Sequence, residues 1–109
     1  MELSKSDWKL FRERLPLWQE AYMDRLNHEY IELLQNEAPA SDKFWALDER
    51  LKRDKQNPGV VLQVSKSSAI FDIAEMVQRG VISENDLTGF SDGVFEAVKL
   101  LNNRRNSDL

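Results

Sequence analysis

A chain of 109 residues, 41% hydrophobic and 31% charged, has enough apolar material for one core and reads as a single domain. Its formal net charge of −4 disfavours nonspecific binding to nucleic acid or anionic lipid, because both need positive potential. It contains no cysteine, which excludes disulfides, cysteine-ligated zinc and thiol catalysis.

The opening Met1-Glu2-Leu3-Ser4-Lys5 lacks the apolar core of a signal peptide. No apolar run approaches the ~20 residues of a membrane span, so the chain reads as cytoplasmic with no membrane partner. Ser4 and Ser6 are candidate N-caps, and Asp7 suits a first helical turn through the helix dipole. Trp8, Phe11 and Leu15 then form a short apolar face. Pro16 lacks an N–H and clashes with the carbonyl four residues back, so a break or sharp kink is expected near Arg14 and Leu15. Residues 16–35 follow as one long helix, with Trp18, Tyr22, Leu26, Tyr30 and Leu33 on one stripe at helical spacing. A second stripe beside it holds Met23, Ile31 and Leu34, interrupted by Asn27. A helix apolar over so much of its circumference must sit between several elements, or between its own domain and a partner.

Ser41 is expected to cap a helix over 42–56, with Phe44, Leu47 and Leu51 facing inward and Trp45 at the edge. Asn57-Pro58-Gly59 stops it. Residues 60–64 are β-branched, but no second run exists to pair with them as a strand. They read as the start of the next helix or as an extended lead-in. A helix over 68–79 buries Ile70, Ile73 and Val77, and Gly80 ends it. Ser83 and Asp86 form a capping-box-like pair opening a short helix to Leu87. Gly89 ends that one, and Ser91 caps a last helix with Val94, Phe95, Val98 and Leu101 inward. Residues 102–109 read as a polar, frayed tail. The expected fold is an all-α, compact bundle of about five helices around one long central helix.

Phe11-x-x-Arg14-Leu15-Pro16-x-Trp18-Gln19-Glu20, Ser41-Asp42-Lys43-Phe44-Trp45, Asn57-Pro58-Gly59-Val60 and Gly80-Val81-Ile82, with Asp86-Leu87-x-x-Phe90-Ser91, form a recognisable set. Together they resemble a group of short, uncharacterised, all-helical bacterial proteins. The resemblance spans most of the chain and implies the fold. It implies no activity and no functional residues.

Chemistry-bearing patterns are sparse. Asp24, His28 and Glu32 stack at four-residue spacing, but the second histidine of a zinc-protease helix is absent and Arg25 opposes a cation. Residues 75–86 fall into a calcium-loop frame only at Gly80, Ile82 and Asp86, because Val77 and Arg79 stand where oxygen ligands belong. As a helix-turn-helix, the same segment would present Glu84 and Asp86 to phosphate. No nucleophile–base pair and no glycine-rich phosphate loop occur. Catalysis, metal and cofactor are therefore not expected.

Arg50, Lys52, Arg53 and Lys55 form the one basic run, diluted by Asp48, Glu49 and Asp54 and explicable by the helix dipole alone. Three function classes stay in view, the least favoured being a small metal-dependent enzyme around His28. The leading one is a non-catalytic interaction or accessory module that engages an unidentified protein partner through Met23, Asn27, Ile31, Leu34 and Trp45. A second copy of the chain is one such partner. The alternative is a nucleic-acid-associated regulator using the basic run, and it is disfavoured by overall charge. The second stripe is an interface only if the later helices leave it uncovered.

Overall fold

The computed structural model describes residues 2–107, with side chains through residue 104. Four α-helices are joined by one 3-10 turn: α1 (Lys5–Gln35), α2 (Ala40–Asp54), α3 (Ala69–Gln78), the turn Glu84–Leu87, and α4 (Asp92–Ser107). Among the described residues there is no strand, and no helix is long and apolar enough to cross a membrane.

Ser4 caps α1, its Oγ accepting the Asp7 N–H at 3.1 Å. The expected break at Pro16 does not occur, and α1 runs unbroken for 31 residues, roughly 46 Å at about 1.5 Å per residue. Packing explains this. Phe11 and Leu15 are buried just before the proline, and Trp18 packs against the same core just after it. Arg12 and Pro16 are both exposed, so the carbonyl deprived of its partner lies on the solvent side. Burial of three large side chains outweighs the ~3 kcal/mol that an interior proline costs. Fusion of two expected helices into one, with the short helix to Leu87 formed as the 3-10 turn, leaves four α-helices.

The core gathers the first half of α1 against α3, the 3-10 turn and α4. Phe11, Ile70, Ile73, Met76, Leu87 and Val98 are its most deeply buried large side chains. Trp18 is half-buried at its edge, with its ring centroid 6.2 Å from those of both Phe11 and Phe90. Gly80 ends α3 at φ +74°, and the Ser83–Asp86 capping box is formed. Residues 61–65 are neither helix nor strand, and Leu62 and Val64 lean onto the core as an extended lead-in does. Residues 102–107, expected as frayed tail, continue α4, while Asp108 and Leu109 lie outside the described residues.

One long-range tie closes this half. Asp7 is buried, and its carboxylate accepts Ser91 N–H at 3.0 Å and Ser91 Oγ–H at 2.7 Å, fixing the start of α1 to the start of α4. Burial alone would raise the Asp7 pKa. The Ser91 side-chain and backbone hydrogen bonds, with Ser4, outweigh it, and the pKa lies below its ordinary value.

The second half of α1 has no such cover. Leu26 is its last buried side chain, and among the described residues α2 is the one helix that returns alongside beyond it, antiparallel. The α1–α2 hairpin therefore projects from the core. The radius of gyration is 16.4 Å, against about 13 Å for a compact chain of this length.

Candidate interaction surface

α2 faces α1 with a stripe that is largely polar. Lys43, Ala46, Arg50 and Asp54 recur at steps of three, four and four. Lys43 Nζ donates to the carbonyls of Leu34 and Asn36 at 2.9 and 3.2 Å, satisfying the open end of α1. Arg50 sits over the Tyr30 ring at 5.5 Å, donates to Glu29 at 3.2 Å and lies 3.6 Å from Asp54. Tyr30 Oη–H donates to the mostly buried Asp54 carboxylate at 2.6 Å. Burial, then the hydrogen bond and charge of Asp54, push the Tyr30 pKa up to about 12. The phenol thus stays protonated and keeps its donor role at neutral pH.

Because the polar stripe takes the contact with α1, the apolar stripe of α2 is turned outward. Phe44 and Leu51, expected to face inward, are exposed, Phe44 by 64%. Leu47 between them is half-buried. Trp45, expected at the edge, is 62% exposed and packs edge-to-face on Phe44, centroids 5.1 Å apart at 85°. Across the hairpin, Ile31 is 51% and Leu34 44% exposed, Asn27 is exposed and Met23 half-buried. The later helices do not cover this stripe, since they pack on the first half of α1.

The two outward stripes meet at the base of the hairpin. Met23, Leu26, Asn27 and Tyr30 from α1, Leu51, Asp54 and Lys55 from the end of α2, and Val60 line a groove of about 220 Å³. Val60 is placed at it by the turn after α2, its N–H donating to the Asn57 carbonyl at 2.9 Å. Asn57 Oδ1 accepts the Gly59 N–H at 2.8 Å, Asn57 Nδ2 donates to Tyr22 Oη, and Gln19 Nε2 donates to the Pro58 carbonyl at 3.1 Å. Gly59 lies against the face of Tyr22 where a Cβ would come 2.8 Å from ring carbon Cε2.

Thus Met23, Asn27, Ile31, Leu34 and Trp45 lie on one projecting element. Phe44, Leu51, Tyr30 and Val60 join them, and sequence reading had not placed these four at the surface site. The signal for Phe44 was available. Phe44 and Trp45 are adjacent on a helix and cannot both point inward, and the Lys43–Arg50–Asp54 stripe competes for the inner face.

The basic run is largely neutralised. Arg50 pairs with Glu29 and Asp54, Lys52 with Asp48 at 2.9 Å, and Arg53 lies 3.8 Å from Asp54, while Lys55 is exposed at the groove. Arg104, which would extend a cationic strip, stands in the last turns of α4, and the Arg105 side chain lies outside those described. His28 is on the solvent face of α1, its Nδ1 2.8 Å from the Asp24 carbonyl. That backbone contact, then the Asp24 charge, raises its pKa. Among the described residues no group of three or more His, Cys, Asp or Glu side chains is placed to hold a metal ion. No family model, curated protein or solved structure matches the chain.

Proposed function

We propose that the protein is a non-catalytic protein–protein interaction module, with the outward face of the α1–α2 hairpin as its docking surface. One observation carries this reading: five large apolar side chains, Ile31, Leu34, Phe44, Trp45 and Leu51, are exposed together on the one element that the core does not cover. Contiguous exposed apolar surface marks interfaces in monomeric proteins. Aromatic anchors flanked by polar groups are the usual energetic centres of such surfaces.

The test is site-specific photo-crosslinking in the source cells, with a photoreactive residue replacing Trp45 or, as control, Lys9 on the first half of α1. The module reading expects a discrete protein adduct at position 45 that is missing at position 9. Equal or absent adducts at both positions would overturn it.

A further inference from the structure

Resting on the module reading, we propose that the occupant of this face is a second copy of the same chain. The two copies dock tip to base about a twofold axis normal to the hairpin face. Each copy's Phe44 enters the other's groove, and its Trp45 covers the rim.

The face carries both halves of the match. At the tip stands a knob, the exposed Phe44–Trp45 pair. At the base is the hole, the 220 Å³ groove walled by Met23, Asn27, Tyr30 and Leu51. A cavity of about 150 Å³ accommodates a benzene ring, so this groove takes one six-membered ring and not two. Phe44 lies on the same α2 stripe as Leu51, seven residues or about 10 Å along the helix from the groove wall. A twofold axis beside Leu47 and Asp48 therefore brings knob to hole at both ends in a single rotation, the self-complementary contact that an isologous dimer requires.

Charge selects the same orientation. Exposed Glu37 and Asp42 stand at the tip, and exposed Lys55 at the base, where Lys52 is already paired with Asp48. The tip's Lys43 is committed to the α1 carbonyls. Tip-to-base docking sets these acids against Lys55, whereas tip-to-tip docking sets like against like. Asn27 beside the groove supplies a polar group of the kind that fixes register in helix interfaces. The exposed parts of Phe44, Trp45, Ile31, Leu34 and Leu51 offer on the order of 500 Å² per copy, and the polar rim brings this toward the ~800 Å² that a stable interface buries per partner.

The experiment is solution mass by light scattering from micromolar to millimolar concentration, with circular dichroism as the folding check. The 12.7 kDa chain is expected to double its mass as concentration rises. Phe44→Ser and Ile31→Glu are each expected to stay helical while raising the dimer dissociation constant at least ~30-fold. A second measurement does not depend on those variants folding. The chain has no cysteine, so Asp48→Cys, at the axis, is expected to form a disulfide-linked dimer under mild oxidation, while Lys9→Cys does not. A chain that stays monomeric throughout the range overturns the proposal, as does a dimer in which Asp48→Cys cross-links no better than Lys9→Cys. A monomer that still gives a foreign adduct at position 45 rejects the second copy and leaves the module reading standing. A monomer with no such adduct rejects both.

Discussion

Gly59 and Asp7 show how single residues hold the two halves of the molecule. Gly59 has no side chain because the Tyr22 ring occupies the space a Cβ would fill. The ring is held in turn by Asn57. Gly59→Ala is expected to cost about 1–3 kcal/mol by overpacking, measured by urea unfolding. Gly93→Ala is the contrast. Gly93 lies in the first turn of α4, where a Cβ would meet Ser91 Oγ at an ordinary 3.9 Å, so alanine is expected to be neutral or to stabilise by up to ~1 kcal/mol.

Asp7 makes the stability of the fold sensitive to acid. Its folded-state pKa lies below the ordinary value, so the unfolded chain takes up this proton first as pH falls. The stability it contributes is complete above the ordinary carboxylate pKa and is lost as pH drops through the folded value. Asp7→Asn is expected to destabilise the protein by about 1–3 kcal/mol at neutral pH and to flatten the decline below about pH 4. An unchanged acid limb in that variant would remove Asp7 from the account.

At the scale of elements, α1 is the test of how far local rules reach. The proline rule is sound, but the burial of Phe11, Leu15 and Trp18 on either side of Pro16 overrides it. The tension is expected to persist as stored cost. Pro16→Ala should restore one hydrogen bond to the Arg12 carbonyl and raise stability by about 1–3 kcal/mol by thermal or urea unfolding, after the entropy the proline removes from the unfolded chain is discounted. A neutral result would mean that the helix gains nothing from continuity there. Local signals alone were enough to read the Ser83–Asp86 box, the Gly80 stop and the inward positions Ile70, Ile73, Val94 and Val98, though not the wholly buried Met76, while Val77, Phe95 and Leu101 are only half-buried. The orientation of α2 was not readable in that way. It is set by Lys43, Arg50 and Asp54 meeting partners more distant in sequence, Leu34, Glu29 and Tyr30, and hydrophobic periodicity says nothing about such pairings. The candidate interface was partly legible for the converse reason. A helix apolar on two stripes demands two partners, and among the described residues α2 is the one helix beside its second half.

The whole molecule divides its work along α1. The first half, with α3 and α4, holds the buried core that stabilises the fold. The second half, with α2, holds its shape through a polar, charged seam and turns Ile31, Leu34, Phe44, Trp45 and Leu51 to the outside. This division predicts that the exposed hairpin residues are dispensable for folding, and urea unfolding at concentrations too low for association measures it directly. The Phe44→Ser/Trp45→Ser double variant is expected to unfold within about 0.5 kcal/mol of the native chain, as surface substitutions do. Phe11→Ala, wholly buried in the first half, is expected to lose about 3–5 kcal/mol. A loss of 2 kcal/mol or more (roughly the scale of a buried apolar side chain) in the hairpin double variant would assign Phe44 and Trp45 to the chain's own core and contradict the account.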